Sequence, residues 1–403
     1  MSSTKERILF KIREMAEQKK ILILYTANGG LGHKVLAQNF EYYLKAAGYE
    51  VRSEDMSKIE QGSGVQGFIK LHRFINQRLP WLWRWIYRYG YLLTMPVRNL
   101  VFANSTLHVQ AIVKEFDPDL IISTQASGSG VASYLKGKGL YKNLFAAAFS
   151  DYHFHPYWIF SGVDRYLTNI EEQKQELTKR GIPNDRSSIV GITLKPKAAI
   201  DIASVRSKLN LASDEKLVLI SSGGQGIGMN ESFLDMLTAA LLHEAKSHNI
   251  KLHLAIVCGK NQDLYGRLKT EIKNPAVSIF GYYSPMAELY SVADLFISKP
   301  GGLTVAESLQ WNLPMLVTHW LPGQEELNYA YLKSKKLIMP GPDDPYDWKP
   351  GDVAKVALRE LQSGAFRQSL GENPSKQALI PNETENPFLQ AISDMFHMLH
   401  DRK

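Results

Sequence analysis

Short apolar runs recur along the chain, separated by longer amphipathic stretches, and this alternation predicts strands joined by helices. In the first half, residues 21–26, 50–56, 119–124, 144–150 and 164–168 read as strands, with a helix starting near His33 after the first. Residues 217–221, 251–258, 277–280, 294–298 and 314–318 repeat the pattern. Strands that alternate with helices argue for parallel sheets built from βαβ units. Between the two series, Thr193-Leu194-Lys195-Pro196-Lys197-Ala198 breaks the pattern and reads as a linker. The expectation is an α/β protein of two domains, residues 1–195 and 196–380. A terminal helix within residues 381–403 would pack back on the first. At 403 residues the chain is long enough for two cores of roughly 200 residues each.

Each series carries a glycine-rich turn directly after its first strand: Asn28-Gly29-Gly30-Leu31-Gly32 and Ser222-Gly223-Gly224-Gln225-Gly226. Doubly wound sheets bind ligands outside the carboxyl ends of their strands, so two such domains are expected to face a central cleft. A third glycine pair lies in Ser298-Lys299-Pro300-Gly301-Gly302-Leu303-Thr304-Val305-Ala306-Glu307-Ser308. There a strand runs into a helix start whose free backbone N–H groups suit a phosphate. Glu307, one turn further, would repel a phosphate but can accept hydrogen bonds from a ribose diol. The segment reads as a sugar-nucleotide site; an ordinary strand–glycine–helix connection is the alternative.

His33 follows the first glycine turn in what should be the first turn of a helix. The positive end of the helix dipole disfavours imidazolium there, leaving a neutral ring able to take a proton from a hydroxyl. A histidine that merely lines the turn would look the same. Asp151 ends an apolar strand, within Phe149-Ser150-Asp151-Tyr152-His153-Phe154-His155-Pro156-Tyr157-Trp158. His153 and His155 alternate as on a strand, but no third ligand cluster accompanies them, so no metal is expected. Acceptor recognition or support of a general base fits Asp151 better.

Phe68, Leu71, Ile75 and Leu79 share one helical face, with Lys70, Arg73 and Arg78 off it, until Pro80 interrupts. Trp81, Trp83 and Trp85 then interleave with Arg84 and Arg88. Such a stretch suits the headgroup boundary of an anionic bilayer, rings at the interface and guanidinium groups on phosphates. An aromatic core helix is the competing reading. Basic–aromatic interleaving also occurs in single-strand binders, but no nucleic-acid module accompanies it, and no nucleic-acid partner is expected.

Composition narrows the choice further. The net charge of +7 favours anionic partners. One cysteine, Cys258, excludes an internal disulfide framework, and its apolar run argues for a buried thiol. The basic first residues lack the apolar core of a signal peptide. No run approaches the ~20 apolar residues that span a bilayer. An intracellular protein is expected, held at the cytoplasmic side of the membrane as a peripheral (monotopic) enzyme.

Together these segments resemble the glycosyltransferases that make glycosyl-diacylglycerols, the plant-type monogalactosyldiacylglycerol synthases and bacterial processive diacylglycerol glucosyltransferases. Their superfamily includes the N-acetylglucosaminyl transferase of peptidoglycan synthesis. The resemblance runs from Gly29 to about Tyr331. It is carried by Gly-Gly-Leu-Gly-His, by Ser-Asp-Tyr-His-Phe-His-Pro-Tyr-Trp, and by Lys-Pro-Gly-Gly-Leu-Thr-Val-Ala-Glu-Ser followed by Leu321-Pro322-Gly323-Gln324-Glu325-Glu326-Leu327-Asn328. It implies a GT-B fold of two Rossmann-like domains, acceptor on the first and UDP-sugar on the second. In that frame Gly301, Gly302 and Thr304 contact the diphosphate, with Ser222 and Gly223 beside it, and Glu307 holds the ribose. Gln324 and Glu325 face the donor sugar, and Phe280 and Met286 fall where the uracil packs. His33 matches the catalytic histidine, Trp158 an aromatic linked to the lipid acceptor, and residues 68–100 the membrane-docking region. Lys34 and Ser150 depart from frequent family residues and leave sugar and acceptor open.

The expected reaction is inverting transfer of a hexose, from UDP-glucose or UDP-galactose, to diacylglycerol or a glycosyl-diacylglycerol at an anionic membrane surface, with no cofactor. His33 acts as base, through or with Asp151. Two other readings stand beside it: transfer of N-acetylglucosamine to a polyprenyl-diphosphate lipid, and a membrane-bound nucleotide-sugar sensor without turnover.

Overall fold

A computed structural model describes residues 19–27, 31–59, 75, 79–90, 103–226, 228–339, 341, 347–380 and 386–400. The chain divides into two compact units: Met1–Lys195 with Pro322–Gln324 and Leu379–Lys403, and Pro196–Leu321 with Glu325–Ala378. Each is a parallel sheet covered by helices, the doubly wound α/β architecture the alternation predicts.

The first sheet has six strands: β1 (Lys20–Tyr25), β2 (Glu50–Asp55), β3 (Leu120–Ser123), β4 (Leu144–Ala148), β5 (Arg165–Thr168) and β6 (Ser187–Ile189). Their spatial order is β2-β1-β3-β4-β5-β6. Continuous apolar segments such as Leu-Ile-Ile-Ser and Leu-Phe-Ala-Ala-Ala are buried along their whole length, because helices cover both faces of a parallel sheet. Helix α1 (Leu31–Ala46) follows β1 and buries Leu36, Ala37, Phe40 and Leu44 in one stripe. From β1 the chain passes to β2 on one side and later returns to β3 on the other. The carboxyl ends of β1 and β3 therefore flank the point where the winding reverses, where such sheets open a crevice for ligands.

Pro80 marks a helix boundary, as expected: Ile75 is helical and Leu79 is not. The proline occupies the first position of α2 (Pro80–Tyr89), where its missing N–H is no loss and its fixed φ suits the helical turn. Of the helix expected just before it, only Ile75 and Leu79 fall within the described residues, and Asn28, Gly29 and Gly30 lie outside them. Helix α3 (Ala126–Gly137) follows β3. Helix α8 (Pro387–His400) packs on this first unit: Phe388 stacks on Phe40, ring centroids 4.1 Å apart, and Phe396 on Tyr49 at 5.7 Å.

The second sheet has five strands: β7 (Lys216–Ser221), β8 (Leu252–Val257), β9 (Val277–Phe280), β10 (Leu295–Ser298) and β11 (Met315–Val317), in the order β11-β10-β7-β8-β9. Its winding reverses between β7 and β10, which pair through Leu295–Val218, Phe296–Leu219 and Ile297–Ile220. The turn after β7 and the turn after β10 thus lie side by side. Helix α4 (Glu231–Ser247) is capped by Asn230, whose side chain accepts from the Phe233 N–H at 3.1 Å. It buries Leu234, Leu237 and Leu241 against the sheet together with Cys258, whose thiol burial pushes up to about 11. Helices α5 (Met286–Val292), α6 (Gly302–Gln310) and α7 (Gln324–Ser334) follow later in the chain. The helix Pro350–Ser363 again has a proline in its first turn.

Candidate functional site

In the first unit, His33 is the third residue of α1, at the switch point. Thr124, just past β3, donates its hydroxyl to the His33 carbonyl at 3.2 Å and fixes the first turn of α1 to the neighbouring strand end. Loss of solvation lowers the His33 pKa below 6.5, partly opposed by the nearby Asp151 carboxylate. The ring Nδ1 is buried and has no hydrogen-bond partner among the described residues. A neutral imidazole with a buried carboxylate close by is equipped to remove a proton from a hydroxyl and to stabilise the cation that forms.

Asp151 is 7% exposed, and the backbone around it is held by a buried amide pair. Asn169 donates to the Phe149 carbonyl at 3.1 Å and to that of Asp151 at 2.9 Å, and Gln173 donates to the carbonyls of Asp151 and His153, both at 2.8 Å. Its carboxylate accepts from the Ser150 hydroxyl at 3.1 Å and from Gln324 Nε2 at 2.5 Å. Gln324 clusters with this unit. Trp158, on a single turn of 3₁₀ helix (Pro156–Trp158), packs its ring 5.3 Å from Phe149 at the margin of the core.

His153 and His155 clamp one residue of α2. Tyr87 Oη lies 2.7 Å from His153 Nε2, and His155 Nε2 lies 2.7 Å from the Tyr87 carbonyl oxygen. Because His155 Nδ1 accepts from the Tyr157 N–H at 3.2 Å, its proton sits on Nε2 and is donated to that carbonyl. The Tyr87 carbonyl belongs to the last turn of α2, so His155 caps that end of the helix. No group of three or more histidine, cysteine, aspartate or glutamate side chains poised to hold a metal occurs among the described residues.

The three tryptophans of α2 separate by helical phase. Trp81 and Trp85 are 65% and 53% exposed, and Tyr89 continues their stripe at 45%. Trp83 is half-buried, 6.5 Å from the Tyr87 ring. Arg88 is exposed beside the stripe, its guanidinium 5.7 Å from the Tyr89 ring, whereas Arg84 is half-buried. No helix among the described residues is long and apolar enough to cross a membrane.

In the second unit, β7 delivers Ser222 and Gly223. Gly223 has φ +74°, a conformation that favours glycine, and a Cβ there would approach Lys299 Cε to 3.4 Å. Gly301 caps α6 with no side-chain partner, so backbone N–H groups of its first turn point outward without a capping side chain. Thr304 Oγ1 lies over Gly301, 3.7 Å from where a Cβ would stand. A helix start of this kind can receive an anion.

Glu307, in the same helix, accepts from the Tyr290 hydroxyl at 3.1 Å, and burial pushes its carboxyl up to about 7. Phe280 ends β9, its ring 5.1 Å from that of Tyr283, and Met286 opens α5. β9 is separated from β7 by β8. Glu325 is committed within the protein: Oε1 takes the Lys299 ammonium at 2.5 Å and Oε2 the Leu321 N–H at 2.8 Å.

Two residues here carried no role in the sequence reading. Lys299 places a cation beside the Gly223 turn. His319, just after β11, contacts Ser222 Oγ through Nε2 at 3.2 Å and Thr318 Oγ1 through Nδ1 at 3.1 Å. Burial, with Lys299 nearby, pushes its pKa down to about 3, so the ring stays neutral. Lys299 opens the Lys-Pro-Gly-Gly motif without a role of its own being readable there, and His319 lies in no motif, since the placement of both depends on which strands lie next to β7.

Comparison with known proteins bears on the family resemblance and the fold. Residues 33–194 match the monogalactosyldiacylglycerol (MGDG) synthase family model, and residues 217–336 the glycosyltransferase family 28 C-terminal domain. A probable monogalactosyldiacylglycerol synthase 2, chloroplastic, of Oryza sativa subsp. indica is 27% identical over 335 residues, covering 79% of this chain and 70% of the relative. A processive diacylglycerol beta-glucosyltransferase of Bacillus subtilis (strain 168) is 25% identical over 336 residues, 80% of this chain and 83% of the relative. Among solved structures, the glycotransferase of kitacinnamycin superposes with a TM-score of 0.63 at 12% identity, covering 93% of this chain and 98% of that one. Phytolacca americana UGT2, solved with UDP-2fluoro-glucose and pterostilbene, gives 0.61 at 12% identity, covering 94% and 100%. The fold is that of GT-B glycosyltransferases.

Proposed function

From the match of residues 33–194 to the monogalactosyldiacylglycerol synthase family model and of residues 217–336 to the glycosyltransferase family 28 C-terminal domain, we propose that the chain transfers a hexose, glucose or galactose, from a UDP-sugar to diacylglycerol or a glycosyl-diacylglycerol. The relatives named for diacylglycerol substrates support this acceptor class. The observation that carries the reaction type is the neutral, desolvated His33 at the switch point of the first sheet with Asp151 close by.

His33 takes the proton of the acceptor hydroxyl as that oxygen forms its bond to the anomeric carbon. The bond from that carbon to the UDP oxygen breaks on the opposite face, so configuration inverts through an oxocarbenium-like state. Asp151 stabilises the imidazolium. UDP leaves as an anion, and its charge is met by the first turn of α6 and by the Lys299 ammonium, with Glu307 on the ribose. The exposed Trp81–Trp85–Tyr89 stripe, Arg88 and the net charge of +7 support peripheral binding to an anionic leaflet on the cytoplasmic side.

Purified protein is incubated with diacylglycerol vesicles and UDP-glucose, UDP-galactose or UDP-N-acetylglucosamine, and the lipids are analysed by mass. A hexosyl-diacylglycerol from one of the first two donors is expected. Product from UDP-N-acetylglucosamine alone, or no UDP release over vesicles, overturns the proposal.

A further inference from the structure

Two histidines of the Asp151 loop, His153 and His155, both end on Tyr87. The side chain of Tyr87 lies on the inner face of α2, opposite exposed Trp81, Trp85 and Tyr89. Its hydroxyl meets His153 and its carbonyl is capped by His155, whose ring also packs 4.4 Å from the tyrosine ring. The same two histidines belong to the loop that carries Asp151, and Gln173 holds the carbonyls of Asp151 and His153 together. Burial and the Asp151 charge both raise the Tyr87 pKa, which keeps the phenol a hydrogen-bond donor and places it within reach of that carboxylate's field. One rigid chain of contacts thus runs from the aromatic surface of α2 to the strand-end carboxylate.

Resting on the proposed lipid reaction, we infer that Tyr87 is a positioning residue: it ties the lipid-facing helix α2 through His153 and His155 to the Asp151 loop, so that seating α2 on a bilayer sets the acceptor-side carboxylate. The exposed face binds the surface, and the inner face transmits its position. A phenylalanine at 87 keeps the ring packing and the carbonyl cap and deletes only the hydroxyl link.

The test compares full-length wild type, Tyr87→Phe, His153→Ala and the double variant on vesicles containing diacylglycerol and anionic lipid. Flotation should show unchanged vesicle binding for Tyr87→Phe. Its kcat at saturating diacylglycerol should fall about tenfold, the equivalent of one lost hydrogen bond to a positioned group, with KM for the UDP-hexose unchanged. His153→Ala should fall similarly, and the double variant no further than the worse single. Hydrogen exchange, which needs no turnover, should show protection of residues 151–158 gained on vesicles by wild type and missing in Tyr87→Phe.

Wild-type kcat in Tyr87→Phe, additive losses in the double variant, or identical vesicle-induced protection each overturn the inference. If wild type itself makes no glycolipid, the reaction proposed above fails instead, and the exchange measurement still decides the role of Tyr87.

Discussion

Lys299 and Glu325 form an ion pair 2.5 Å long in which both side chains are largely buried, beside the glycine turn that follows β7. Breaking a buried pair from one side leaves an uncompensated charge, which is worth about 3 kcal/mol or more. Lys299→Met should therefore destabilise the second unit by that order and, on the proposed placing of the diphosphate beside this cation, weaken UDP binding by about tenfold. Adding Glu325→Gln should restore much of the stability but none of the UDP affinity. Chemical denaturation and calorimetric UDP titration read the two effects separately, and coincident recovery of both would show that Lys299 is only structural.

Glu307 gives a pH dependence with a definite sign. Burial pushes its carboxyl up to about 7, and on the proposed role of Glu307 a ribose diol donates to the ionised form, which links binding to proton release. UDP affinity should rise with pH by at most about tenfold per unit and flatten above 7. Glu307→Gln removes the carboxyl contribution, leaving only that of the phosphates. Stability runs the other way. A carboxyl raised above its ordinary 4.5 contributes stability that is present below that value and lost as pH rises through 7. Glu307→Gln should gain on the order of 2 kcal/mol relative to wild type between pH 4 and pH 8, measured by denaturation.

What the sequence disclosed, and what it did not, follows from the range of each signal. Strands such as β4 and β8 are continuous apolar runs and were legible. β6 is three residues, Ser-Ser-Ile, too short and too polar to stand out, and it forms only by pairing with β5. The Gly223 turn was legible because only a glycine accepts its φ readily. The roles of Lys299 and His319 were not, because they arise when β10 and β11 are laid beside β7. His153 and His155 read as an alternating pair with metal-like chemistry, yet their common partner is Tyr87, more than sixty residues earlier. Helical phase was the remaining gap: once Pro80 opens α2, Trp81 and Trp85 point outward and Trp83 does not.

That phase separates the tryptophans experimentally. Trp81→Ser and Trp85→Ser should each lower vesicle affinity by about tenfold and leave the melting temperature nearly unchanged, as exposed rings contribute little to folding. Trp83→Ser should instead destabilise the first unit by about 2 kcal/mol, because a half-buried indole is removed from its packing. Liposome flotation and thermal melting distinguish the outcomes. Equal vesicle loss at all three positions would contradict the phase of α2.

The electrostatic influence of Asp151 on His33 makes the most specific kinetic prediction. His33→Ala should lower hexose transfer by at least about a thousandfold while UDP still binds, because the base belongs to the first unit and the anion cradle to the second. In wild type, desolvation holds the imidazole neutral at pH 7, so the acid limb of kcat/KM should lie below 6.5. The Asp151 charge acts against desolvation and raises the His33 pKa. Asp151→Asn removes that opposition, and the acid limb should move to still lower pH even as the maximal rate falls. A purely structural Asp151 would lower the rate without shifting the limb, and a limb moving upward would mean that the titrating group is not His33. The pH profiles of the two proteins, taken with the same diacylglycerol vesicles and donor, decide between these outcomes.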